Sequence, residues 1–102
     1  MRIVTKRALR VFWERHSQAE EPLAAWYKNA RQASWKNFAE VRADYNSVDY
    51  SGQFTIFDIG GNKYRLIVAI HYNTGMIFIR HVFTHPEYDR WNAARTKQKK
   101  KG

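Results

Sequence analysis

Two apolar runs either side of Asn73-Thr74-Gly75 constrain this chain more than any other feature. Upstream of that turn, Tyr64, Leu66, Val68, Ile70 and Tyr72 fall at alternate positions; downstream, a second run opens at Met76-Ile77-Phe78-Ile79 and ends at Phe83. Successive side chains of an extended chain point to opposite sides, and a short loop ending in Gly closes a hairpin. The pattern therefore predicts two antiparallel strands. One face of the first is apolar and builds a core. The other holds Lys63, Arg65, Ile67, Ala69 and His71, a mixed face with two cations available to an anion.

The rest of the chain covers one face of that hairpin or adds charge near the other. Residues 53–59 (Gln-Phe-Thr-Ile-Phe-Asp-Ile) read as a further strand, turned into the hairpin by Gly60-Gly61-Asn62. Those glycines do not open a helix, so they are turn residues and not a phosphate-cradling loop. Residues 1–4 read as a short edge strand. Thr5 is placed as an N-cap, and Leu9, Phe12, Trp13 and His16 follow at one helical spacing. Glu20, Glu21 and Pro22 suit the first turn of a second helix, whose stripe is Leu23, Trp26, Tyr27 and Ala30. Asn37 and Glu40 form a capping pair for a short third helix with Phe38, Val41 and Tyr45 facing inward. Residues 44–52 read as a loop. Pro86 opens a terminal helix expected to run to about Ala94, giving one domain over 1–94 and a basic tail over 95–102. Antiparallel strands with helices on one face make a two-layer α+β fold.

Charge narrows the partner class. The 102 residues carry 18 Lys and Arg against 9 Asp and Glu, a net charge of +9. Arg95, Lys97, Lys99, Lys100 and Lys101 crowd the last eight positions, yet the remainder is still basic. Cations interleaved with aromatics favour a polyanion such as nucleic acid, because neutralised phosphates release counterions. The tail alone also reads as a solubilising segment. No cysteine is present, which excludes disulfides, thiolate metal sites and cysteine nucleophiles. There is no apolar run of about 18 residues for a membrane span. Lys6, Arg7 and Arg10 interrupt any signal-peptide core, so a cytoplasmic protein is expected.

From Gly60 onward the chain resembles the HigB group of toxins within the RelE-like superfamily of mRNA interferases. The residues that carry the resemblance are Gly61-Asn62-Lys63-Tyr64-Arg65-Leu66-Ile67-Val68, Ile79-Arg80 and Thr84-His85-Pro86-Glu87-Tyr88-Asp89. Ala25-Trp26-Tyr27, Ala33-Ser34-Trp35 and Phe57-Asp58-Ile59 extend it across most of the chain. The resemblance implies two N-terminal helices packed on a curved, mainly antiparallel β-sheet with a short C-terminal helix. It implies endonucleolytic cleavage of mRNA, typically on the ribosome, by attack of the substrate's own 2′-hydroxyl without a metal or cofactor. It also implies a HigA-like helix-turn-helix antitoxin as partner.

In-line attack needs charge stabilisation on phosphorus, removal of the 2′ proton and a proton for the leaving 5′-oxygen. Arg65 matches the strand arginine that serves the phosphate in the superfamily, and its fork suits two phosphate oxygens. Its bland alternative is a surface arginine. His85 stands where relatives place a Tyr, Arg or His at the leaving group; otherwise it caps the helix at Pro86. Lys63 shares a strand face with Arg65 or points to solvent. Arg80, a cation inside an apolar strand, is a second phosphate contact or a partner for Asp58 or Glu87. Tyr88 stacks a base or packs the terminal helix, and Lys97 and Lys99 are candidate RNA contacts. Along a strand His81 and His85 stand roughly 13 Å apart, too far to share a metal. Residues 53–59 lack the lysine pair of some superfamily members, so no general base is evident unless Asp58 faces the cleft. The rival reading is a noncatalytic basic RNA-binding domain; a third is a module whose basic face meets an acidic protein.

Overall fold

In the computed structural model, which describes residues 1–101 and side chains as far as Arg95, the local signals act mostly where their chemistry puts them. Strand β1 (Arg2–Val4) leads through extended Thr5 into helix α1 (Lys6–Arg15). Thr5 occupies the N-cap position but its hydroxyl makes no capping bond. Leu9 is fully buried, while Phe12 and Trp13 are half-buried against the same core. A single 3-10 turn (Ser17–Ala19) precedes α2 (Glu20–Gln32), which has both glutamates in its first turn and buries Leu23, Trp26 and Ala30. At α3 (Phe38–Asp44) the Asn37 side chain accepts the Glu40 N–H at 3.0 Å. The Glu40 carboxylate accepts the Lys36 N–H at 2.9 Å, one residue upstream of the usual reciprocal bond.

The sheet contains β2 (Asp49–Ser51), β3 (Phe54–Ile59), β4 (Tyr64–His71) and β5 (Met76–Thr84) besides β1, in the order β1-β5-β4-β3-β2. The last helix, α4, spans His85–Lys101. Pairing is antiparallel from β2 to β5, and β1 adds parallel to β5. Phe57, Leu66 and Val82 stand in register on the face under α1 and α2. Trp26 and Trp35 pack on Phe57 there, with ring centroids 5.4 and 6.2 Å away. Burying a side chain of this size is worth about 1.5–3 kcal/mol, so this layer holds most of the fold's driving force.

Three expectations change, and the edge strand at 1–4 gains its direction. Residues 44–52 are not all loop, because Asp49–Ser51 pairs with β3 as an edge strand. Three polar-flanked residues carry no periodicity of their own; the partner strand makes them a strand. The edge strand β1 is parallel, so the sheet is mixed. The second face of β4 is not open: Ile67 and Ile56 are 0% and 2% exposed. Ile56, Ile67 and His81 form one register row of this face and Asp58, Arg65 and Phe83 the next, and α4 lies over it through Trp91. Helices therefore cover both faces. Finally, α4 runs past Ala94 to Lys101, because no Gly or Pro intervenes and a change in charge does not break a helix.

Candidate functional site

The β3–β4 turn is where backbone conformation becomes chemistry. Gly60 and Gly61 adopt φ of 64° and 70°, a left-handed pair that other residues reach only with strain. The turn brings Asn62 beneath the first residues of β4, and Arg65 closes over it. Arg65 Nε lies 3.1 Å from Asp58 Oδ1 on the neighbouring strand, with side chains 11% and 27% exposed. Nη1 donates to the carbonyls of Asn62 at 3.3 Å and Tyr64 at 3.2 Å. Nη2 donates to Asn62 Oδ1 at 2.7 Å. The Tyr88 ring centroid stands 5.5 Å from the guanidinium carbon, a cation–π distance. Arg65 has five N–H groups, so this arrangement leaves one on Nη2 for a ligand. A two-oxygen grip on phosphate requires Asn62 to yield its bond.

The β5–α4 junction meets this turn. Thr84 and Glu87 close a reciprocal capping box: the Thr84 N–H donates to Glu87 Oε1 at 2.8 Å, and the Glu87 N–H to Thr84 Oγ1 at 3.4 Å. The first of these bonds is the main reason the Glu87 carboxyl titrates below its ordinary value. The His85 N–H donates to the Lys63 carbonyl at 3.1 Å, stitching the helix start to the turn. His85 Nδ1 lies 3.2 Å from Asp89 Oδ2, one helical turn along. Tyr88 is half-buried, and burial pushes its hydroxyl up, helped by Asp49 and opposed by Arg65 and Arg95. It stays a neutral phenol near neutral pH.

The structure thus brings Arg65, His85 and Tyr88 together at one end of the sheet and places the other sequence candidates elsewhere. Lys63 belongs to the turn, not to the Arg65 strand face, since its Nζ donates to Gln18 Oε1 at 3.2 Å on the N-terminal helical layer. Arg80 is a bulge residue. Ile67 pairs with His81 and Val68 with Ile79, so Arg80 has no partner position and turns outward. That explains a cation in an apolar strand. Its guanidinium lies 5.4 Å from the Phe78 ring, while Asp58 holds Arg65 and Glu87 caps α4. Arg80 is three residues from Phe83, the register partner of Arg65, or roughly 10 Å along the strand. The side chains of Lys97 and Lys99 lie outside the described residues. His81 stacks on Phe83 at 5.0 Å, and burial, with help from Arg80, lowers its pKa. Among the described residues no group of three His, Asp or Glu side chains could hold a metal ion.

Sequence reasoning missed Asn62, Asp89, Trp91 and Arg95. Trp91 lies within 6.0 Å of the Phe54, His81, Phe83 and Tyr88 rings. Arg95 covers Trp91 at 4.5 Å and donates to the Ser51 carbonyl at 3.4 Å. Together they clamp α4 on the sheet and fix Tyr88 over Arg65. The i, i+4 spacing of His85 and Asp89 was a legible signal; the role of Asn62 depends on the turn.

Comparison with known proteins supplies the family. The sequence profile for HigB toxin, described as a RelE-like toxic component of a toxin-antitoxin system, matches residues 19–91. The chain belongs to the HigB toxin family. The matched span includes Asp58, Arg65, His85, Tyr88 and Asp89 and stops before Arg95. The mRNA interferase toxin HigB of Escherichia coli K12 is 31% identical over 104 residues, covering 98% of this chain and 100% of that relative. The mRNA interferase HigB of Shigella flexneri matches to the same extent. A second mRNA interferase HigB, from Escherichia coli O6:H1, is 24% identical over 93 residues.

Proposed function

We propose that this toxin is a metal-independent endoribonuclease that cuts mRNA on the ribosome by in-line 2′-hydroxyl attack. The coarse activity, that of an mRNA interferase paired with an antitoxin, rests on family membership and on full-length relatives so named. The observation that supports the mechanism is the meeting of Arg65, Tyr88 and His85 where the β3–β4 turn touches the start of α4. The 2′-oxygen forms a bond to phosphorus as the bond to the 5′-oxygen breaks, leaving a 2′,3′-cyclic phosphate and a 5′-hydroxyl. Arg65 offers its remaining Nη2 proton and a fixed positive charge to the phosphate as charge accumulates. His85, as imidazolium, donates a proton to the departing 5′-oxygen. Tyr88 supplies a ring against a base, with Lys63, Arg80, Lys97 and Lys99 along the RNA backbone. Asp58 is already spent on Arg65, which makes it a poor acceptor for the 2′ proton, so that proton passes to solvent water. A HigA-like helix-turn-helix antitoxin is the neutralising partner, and the site of action is cytoplasmic.

The test is a map of new mRNA 5′ ends after brief induction, comparing wild type with the Arg65→Ala/His85→Ala double variant. New ends inside translated regions, absent from the variant and from translation-blocked cells, are expected. Ends that persist in the variant move the site elsewhere. No new ends from a folded wild-type protein would favour the noncatalytic RNA-binding reading.

A further inference from the structure

We propose that Asp89 is the positioning residue for His85, holding its ring so that Nε2 faces the leaving oxygen. The proposal rests on the nuclease reading above and assigns a residue that reading does not use. Three contacts fix where the imidazole can go. The Thr84–Glu87 capping box sets the backbone at the strand–helix junction, with bonds of 2.8 and 3.4 Å. The 3.1 Å bond from the His85 N–H to the Lys63 carbonyl ties that backbone to the turn that carries Arg65. The 3.2 Å contact from Asp89 Oδ2 to Nδ1 then leaves the ring one reactive nitrogen. Nε2 has no hydrogen-bond partner among the described residues.

The pair is exposed, at 44% and 62%, so it contributes little to stability. Its value is directional. An imidazolium that gives its Nε2 proton to the 5′-oxygen becomes the Nδ1–H tautomer, the form that keeps its bond to Asp89. In water neutral imidazole favours the opposite tautomer, with the proton on Nε2, which has nothing to donate from Nδ1 and no need of a carboxylate. A carboxylate on Nδ1 therefore stabilises both ends of the proton transfer and orients the ring between them, as orienting partners of histidine do elsewhere. Other polar groups near the junction are committed: Glu87 to the Thr84 N–H, Lys63 Nζ to Gln18, and Asp58 to Arg65. Asp89 is left to do this.

The decisive experiment uses the full-length chain on ribosomes programmed with a short mRNA in two forms. One has an ordinary linkage at the cut site; in the other the 5′-oxygen is replaced by sulfur, a leaving group that departs without a proton. Asp89→Ala is expected to slow the ordinary substrate by roughly 10–100-fold, and His85→Ala by roughly 100-fold or more. Both variants should cut the sulfur substrate at close to the wild-type rate. Ring nitrogen NMR should show the Nδ1–H form of neutral His85 in wild type and its loss in Asp89→Ala. Asp89→Asn, whose carbonyl still accepts from Nδ1, should retain the tautomer with an intermediate rate. Equal slowing on both substrates by Asp89→Ala overturns the proposal, since it marks a structural role. So does an unchanged rate and tautomer against an active wild type. A wild type that cuts neither substrate overturns the nuclease reading, and the catalytic role of Asp89 with it.

Discussion

Arg65→Ala tests how far the site's central cation is a structural part. The side chain is 11% exposed and ties three segments together: Asp58 on β3, Asn62 in the turn and the first peptide of β4. The bonds to Asn62 are exposed and add little each, whereas the Asp58 pair and the Tyr64 carbonyl bond are partly buried. Bonds of the second kind contribute on the order of 1 kcal/mol net, and truncation leaves Asp58 facing a less hydrated neighbourhood without its counter-charge. The expected loss is about 2 kcal/mol. For a domain of this length that lowers the melting midpoint by roughly 8–16 °C. Arg65→Lys should recover less than half, because an ammonium on a single stem reaches Asp58 or the carbonyls but not both. Asp58→Asn should cost less than Arg65→Ala, and the double variant should fall short of the sum of the two. The assay is urea denaturation by tryptophan fluorescence, with an unchanged slope as the check on two-state unfolding. If Arg65→Ala unfolds at the wild-type midpoint, the fork is not engaged in solution and its whole contribution belongs to RNA.

Glu87 titrates below its ordinary value in the folded chain, chiefly through the Thr84 N–H. Its contribution is therefore present above the unfolded carboxylate value of 4.5 and is lost as pH falls toward the folded value. A urea-midpoint series against pH should show that acid-side loss, flattened in Glu87→Gln. His81 also has a lowered folded pKa, with burial the first cause and Arg80 the second, so protonation favours the unfolded chain. Stability should fall as pH drops below 6.5, and the ring proton NMR midpoint should lie under that value; a midpoint above it refutes the buried placement. Asn37→Ala removes the 3.0 Å cap of α3 and should cost about 1 kcal/mol by the same urea assay. Leu66→Ala, at a fully buried position beneath α1 and α2, should cost about 2–5 kcal/mol.

The candidate site was half legible. Arg65 and His85 were singled out by the resemblance to the HigB group, which alternation on the β4 face supports for Arg65 alone. Arg80 stood out as a cation inside an apolar strand but lies elsewhere, since one bulge residue is enough to turn it outward. Lys63 has the spacing for the Arg65 face, yet the left-handed glycines hold it in the turn, out of the strand's alternation. Asn62 has no signature at all until the turn places its side chain under a guanidinium.

What the sequence determined by itself is whatever depends on neighbours along the chain: the two amphipathic helices, the cap at Asn37, the glycine turns and the alternation of β3 and β4. Periodicity and turn chemistry act within a few residues, so they are written in order. Tertiary structure alone decided the rest. It made Asp49–Ser51 a strand, set β1 parallel to β5, and laid α4 across the face that its own residues describe as half polar. Each of these is settled by a partner distant in sequence, through backbone bonds or through packing of Trp91 on Phe54, His81 and Phe83. The occupied fork of Arg65 is the same kind of fact. Its acceptors come from two strands and a turn, and no spacing in the sequence announces that they meet.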